Sequence, residues 1–89
     1  MKKFYKLIYY TSKGCKSCKG YEDVVNKVSH ELRIDSRYVD INEGTVCHHI
    51  EGVPCLIIED EKGATLYKSV GNLPYDMLIK DIKEKLKDD

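Results

Sequence analysis

The residues of this chain best suited to chemistry are two cysteines separated by a dipeptide, in Gly14-Cys15-Lys16-Ser17-Cys18. They stand where the uncharged run Leu7-Ile8-Tyr9-Tyr10 gives way, through the polar turn Thr11-Ser12-Lys13-Gly14, to an amphipathic segment with helical spacing. A thiol at the first turn of a helix faces unpaired backbone N–H groups and the positive end of the helix dipole. Both favour thiolate, the reactive form of cysteine. The spacing sets Cys18 about one helical turn beyond Cys15, close enough for the two sulfurs to close a disulfide. The layout is that of a reversible redox switch. Cys15, nearer the helix start and more exposed, is the expected nucleophile, and Cys18, deeper in the helix, the resolving thiol. Lys13, Lys16 and Lys19 add positive charge that would favour the Cys15 thiolate, or else form a solvated surface whose effect salt screens.

The remaining cysteines and histidines carry weaker signals. Cys55 follows Pro54 at the head of the apolar run Cys55-Leu56-Ile57-Ile58 and is expected to be a buried, inert thiol. The alternative is exchange with Cys15 or Cys18. Cys47-His48-His49, taken with Cys15 and Cys18, offers a zinc-ligand set, but adjacent residues on a short helix point in different directions, which disfavours it. A regulatory disulfide through Cys47 is a third reading. His30 falls on the polar side of the first helix and is expected to face solvent.

The elements that must position the two cysteines follow from periodicity. Lys2 to Tyr10 reads as a strand. Cys15 to Leu32 reads as a helix whose apolar positions are Cys18, Tyr21, Val24, Val25, Val28 and Leu32. Gly20 costs this helix about 1 kcal/mol of propensity against Ala, so a close packing contact is expected to require it. Arg37 to Ile41 is a second strand, and Gly44 to Ile50 a short helix. The unbroken apolar run from Cys55 suits a central strand covered on both faces. Asp60-Glu61-Lys62-Gly63 is a turn into a hairpin partner, Ala64 to Val70. After Gly71-Asn72 a last helix starts at Leu73, with Pro74 in its first turn and an apolar face of Leu78, Ile79, Ile82 and Leu86. Parallel pairing of the first two strands requires a right-handed crossover through the first helix. Most tyrosines are expected in the core or at its edge, with Tyr10 flanking the cysteines and Tyr75 partly exposed. The expected product is one α/β domain over residues 1–89, a four-stranded mixed sheet with helices on both faces.

Composition narrows the functions. The chain has 89 residues, 42% hydrophobic and 34% charged, as expected of a soluble globular domain. Its 15 basic and 15 acidic residues balance, which argues against nucleic acid as the main partner. Met1-Lys2-Lys3 begins like a signal peptide, but Lys6 interrupts the apolar stretch that would follow. No stretch approaches the length of a membrane span. A cytoplasmic location is expected, where a Cys-x-x-Cys pair is more often catalytic or metal-binding than a structural staple.

The element order, with Cys15-Lys16-Ser17-Cys18 after the first strand and Gly52-Val53-Pro54 before the third, resembles the thioredoxin-fold superfamily over nearly the whole chain. Leu7 to Cys18 is similar to the first strand and active-site turn of glutaredoxins, and Val70-Gly71-Asn72-Leu73-Pro74 to the end of thioredoxins. The resemblance implies a β-α-β-α-β-β-α thioredoxin-like fold and a Val53–Pro54 peptide bond in the cis form, facing the reactive cysteine. It implies a substrate site built from Lys13, Gly14, Lys16, Ser17, Val53, Pro54, Gly71 and Asn72 around catalytic Cys15 and Cys18. Val53 would pair through its backbone with an extended substrate chain, Pro54 would keep metal from bridging the thiols, and Gly71 would let substrate backbone approach. Some positions differ. Lys16-Ser17 replaces the Gly-Pro of thioredoxins and the Pro-Tyr of glutaredoxins, and Gly14 the tryptophan of thioredoxins. The buried acid of thioredoxins falls near Tyr9. Glutaredoxins carry a glycine pair and a nearby acid for glutathione, whereas here Gly71 is followed by Asn72.

The function implied is a thiol–disulfide oxidoreductase that cycles a Cys15–Cys18 dithiol and reduces protein disulfides. It has no other cofactor and no metal, acts as a monomer, and is recycled by a thioredoxin-reductase-like or glutathione system. The missing glycine pair favours protein clients over glutathione-dependent work. The competing reading is a soft-metal (copper or zinc) domain using the same cysteines. Small copper-binding domains follow their first helix with two strands, a helix and a strand, whereas this chain ends in a helix after a hairpin. A binding module with vestigial cysteines is disfavoured by the intact Cys15, Cys18 and Val53–Pro54.

Overall fold

The computed structural model describes residues 5–44 and 48–87. Strand β1 (Tyr5–Thr11) leads into helix α1 (Lys16–Leu32), then β2 (Asp35–Asp40), β3 (Cys55–Asp60), β4 (Thr65–Val70) and α2 (Tyr75–Lys87). The four strands form one sheet in the order β2-β1-β3-β4, with β1 parallel to β2 and antiparallel to β3, and β3 antiparallel to β4. The mixed sheet and the order of its strands and of α1 and α2 are those expected from the sequence.

Alternation along the strands sorts the core into two layers. Leu7 and Tyr9 of β1 and Leu56 and Ile58 of β3 face the helices, and each is fully buried. Against them α1 lays Cys18, Tyr21, Val25 and Val28, and α2 lays Leu78 and Ile82. Their spacing of three and four residues makes one apolar stripe on each helix. Ile8, Tyr10, Cys55 and Ile57 point to the other face, where Val39, Ile41 and Ile50 pack on them.

Among the described residues the helices therefore lie on one face only, not on both as expected. The short helix expected over Gly44–Ile50 is the reason: Gly44 and residues 48–50 are non-helical, and residues 45–47 lie outside the described residues. β-Branched and glycine residues make this a poor helix sequence.

Gly20 is also corrected. A Cβ there would meet nothing within 4 Å, so no close contact requires glycine. Tyr38, expected at the core edge, is 39% exposed, lying with its ring edge-on to Tyr9 and its hydroxyl bonded to Asn26.

Two substitutions test this account by urea unfolding. Leu56→Ala opens a cavity in the layer between sheet and helices and should cost about 2–5 kcal/mol. Gly20→Ala should stabilise the protein by up to about 1 kcal/mol, since it adds helix propensity without a clash.

Candidate active site

β1 ends at Thr11, and the chain turns so that the Cys15 N–H donates to the Ser12 carbonyl at 3.0 Å. Cys15 then caps α1 with extended backbone (φ −89°, ψ 101°), and its Sγ accepts the Cys18 N–H at 3.1 Å. Sulfur thus takes the place usually held by a Ser, Thr, Asp or Asn oxygen at a helix start. Cys15 and Cys18 are joined by a disulfide, with Cα atoms 5.3 Å apart. Cys15 is half-buried and Cys18 fully buried, so the sulfur reachable from solvent belongs to the residue expected to be the nucleophile. The Ser17 hydroxyl lies 3.5 Å from Cys15 Sγ. The first turn of α1 carries no acidic residue, which leaves the positive end of the helix dipole uncompensated beside the sulfur.

Of the lysines expected around the pair, Lys13 is engaged with Glu43 at 3.1 Å, both side chains being largely in solvent. Lys16 and Lys19 are exposed without an ion-pair partner among the described residues. Gly14 has open space where a Cβ would stand.

The loop that leads into β3 packs on the same helix-side core as the cysteines. The Val53–Pro54 peptide bond is cis, Pro54 is buried, and Val53 packs with Cys15 against the helix-side core. The Pro54 carbonyl accepts the Gly71 N–H at 2.8 Å, which ties this loop to the one after β4. Gly71 has φ +93°, a conformation that side chains resist. Asn72 is exposed. Among the described residues the backbone of Val53 makes no hydrogen bond.

Tyr9 has a part that strand alternation alone did not reveal. Its buried hydroxyl donates to the Cys18 carbonyl at 2.8 Å, fixing β1 to the first turn of α1. Burial first, and the charge of Glu22 next, hold this phenol above the ordinary tyrosine range, so it remains a donor. Tyr10, expected to flank the cysteines, instead turns to the helix-free face at 1% exposure. There it meets His48 Nδ1 at 2.7 Å, while His48 Nε2 lies 2.8 Å from Glu59. Nothing in the sequence pairs these distant residues.

Cys55 is fully buried on that face as a free thiol, and burial pushes its pKa up, in keeping with the inert role expected. Cys47, invoked for zinc or regulation, lies outside the described residues. His30 is exposed as expected and Tyr75 is half-buried.

No protein-family model and no curated protein matches the sequence. Solved structures do match, thioredoxins among them. Thioredoxin 1 of Thermosipho africanus is 20% identical over 92% of this chain and 94% of its own, with a TM-score of 0.72. A mutant thioredoxin of Halobacterium salinarum is 21% identical over 91% of this chain and 74% of its own, with a TM-score of 0.78. A malaria-parasite thioredoxin-2 is 20% identical over 94% of this chain and 85% of its own, with a TM-score of 0.76. The fold is therefore the thioredoxin fold.

The capping role of Cys15 can be measured apart from any activity. With reductant present throughout, Cys15→Ala should be less stable than Cys15→Ser by about 1 kcal/mol, because serine keeps an acceptor for the Cys18 N–H. Urea unfolding of the two variants checks this.

Proposed function

We propose that the protein is a thiol–disulfide oxidoreductase that reduces disulfides of other proteins through a Cys15–Cys18 dithiol–disulfide cycle. One observation carries the reading. A solvent-reachable sulfur at the N-cap of α1 is bonded to a buried one a helical turn away, in a thioredoxin fold.

The chemistry balances with the protein's own groups. In the reduced protein the Cys15 thiolate, favoured by the Cys18 N–H and the helix dipole, attacks one sulfur of a substrate disulfide. The substrate S–S bond breaks, a Cys15–substrate disulfide forms, and the other substrate sulfur leaves as a thiolate that takes a proton from water. Cys18 then loses its proton and attacks Cys15 Sγ. This closes the Cys15–Cys18 disulfide and releases the second substrate sulfur. Two electrons have passed to the substrate, and one dithiol or two monothiols must return them. A thioredoxin-reductase-like or glutathione system in a reducing, cytoplasmic setting would serve.

The unpaired backbone of Val53, which packs on the same core as Cys15 and precedes Pro54, would bond an extended substrate chain. Gly14 and Gly71 leave room for that chain, and exposed Lys16, Ser17, Lys13 and Asn72 border it. An open surface of this kind suits a protein client. We infer no glutathione pocket, since the glycine pair that would make one is missing after β4.

Trapping tests the assignment of roles. Incubated with insulin, Cys18→Ser should accumulate a mixed disulfide at Cys15, and Cys15→Ser should form none. Wild-type protein with dithiothreitol should reduce insulin well above the rate of dithiothreitol alone. Equal rates with and without the protein would contradict the proposal.

A further inference from the structure

The Val53–Pro54 loop is held in an unusual way. From residue 48 to 53 no backbone–backbone hydrogen bond is made among the described residues, and the first such bond is the one from the Gly71 N–H to the Pro54 carbonyl. The segment nevertheless crosses the helix-free face of the sheet. Among the described residues, side chains hold it there.

His48 is the principal one. The Glu59 carboxylate can only accept, so Nε2 carries a proton toward it at 2.8 Å. In the neutral ring Nδ1 is then an acceptor, and the Tyr10 hydroxyl stands 2.7 Å from it. The imidazole also meets the Tyr10 ring edge-on, with centroids 5.7 Å apart. Bonded at both nitrogens, the ring has one orientation. The bridge is mostly out of water, at 13% exposure for the His48 side chain and 16% for Glu59, where a lost partner costs more than at the surface.

The two residues it joins are informative. Tyr10 is the register partner of Cys55, the residue after Pro54, and Glu59 lies further along the same strand on the same face. His48 thus fixes the start of the segment to the strands that carry its end. Two weaker holds follow. Lys68 Nζ donates to the His49 carbonyl at 2.8 Å, and Ile50 packs on Tyr10, Cys55 and Ile57.

We propose that His48 is a positioning residue, which sets the Val53–Pro54 loop against Cys15 by bridging Tyr10 and Glu59. Its consequence for protein-disulfide reduction rests on the function proposed above. The effect of the bridge on the loop does not.

The test separates the two. Hydrogen exchange of the Gly71 amide, bonded to Pro54, reports loop attachment without any activity, and the Tyr9 amide in the central strand reports the fold. His48→Ala should speed Gly71 exchange about tenfold, the signature of a local opening, and leave Tyr9 unchanged. It should raise KM for insulin and leave kcat and the alkylation rate of reduced Cys15 as they were. His48→Gln, whose amide can accept from Tyr10 and donate to Glu59, should restore both readouts. His48→Phe, which fills space without those bonds, should not. Should the alanine variant fail to fold, Tyr10→Phe, which deletes one hydroxyl, should shift Gly71 exchange in the same direction. Unchanged Gly71 exchange in His48→Ala and Tyr10→Phe, or equal rescue by Phe and Gln, would overturn the proposal. Wild-type protein inactive on insulin but with Gly71 exchange responsive to His48→Ala would sink the redox reading and support the anchor.

Discussion

The bond from the Cys18 N–H to Cys15 Sγ is the contact on which the site depends. It makes one sulfur both the cap of a helix and half of a disulfide. A cap must sit at the helix start with its acceptor turned back on the first turn. That requirement places Cys15 at the edge of the protein and puts Cys18 one turn inward, against the core. The difference in burial between the two sulfurs follows from helix geometry. The same N–H and helix dipole that hold the sulfur also favour its anion, so local stability and reactivity draw on one arrangement.

That arrangement needs a fixed strand behind it. β1 is central, paired on both sides, and it delivers the chain to the turn before Cys15. Tyr9 adds a direct tie from this strand to the carbonyl of Cys18. The helix face is mainly apolar, with the buried hydroxyls of Tyr9 and Tyr21 set among its aliphatic side chains. On the other face the sheet is covered by a segment with little regular structure, pinned by polar side chains. The two cysteines and the Val53–Pro54 loop therefore have different mechanical supports: packed helices under the cysteines, and side-chain bonds of His48 and Lys68 along the segment that leads to the loop.

Much of this was legible in the sequence. Spacings of three and four among Cys18, Tyr21, Val25 and Val28 gave α1 its face, and the run from Cys55 to Ile58 marked a strand buried on both sides. The dipeptide spacing of Cys15 and Cys18 specified their pairing. Local patterns sufficed there because each feature is set within one or two helical turns or along one strand. The helix-free face was not legible. Whether residues 44–50 form a helix depends on what they pack against, and the partners of His48 are Tyr10 and Glu59, which are distant in sequence and joined by sheet register. Gly20 misled for the opposite reason, since an exposed position leaves no trace in the apolar pattern. The orientation of Tyr10 was a matter of parity in β1: Leu7 and Tyr9 face the helices, and Ile8 and Tyr10 must face away.

A redox titration of the purified protein, with alkylation and peptide mass spectrometry to identify the paired cysteines and metal content read on the same sample, tests the central claim most directly. The account predicts a reversible Cys15–Cys18 couple with a potential between roughly −270 and −200 mV, the range of cytosolic dithiol reductants. Cysteines 15 and 18 that resist alkylation until a chelator removes a bound metal would contradict it.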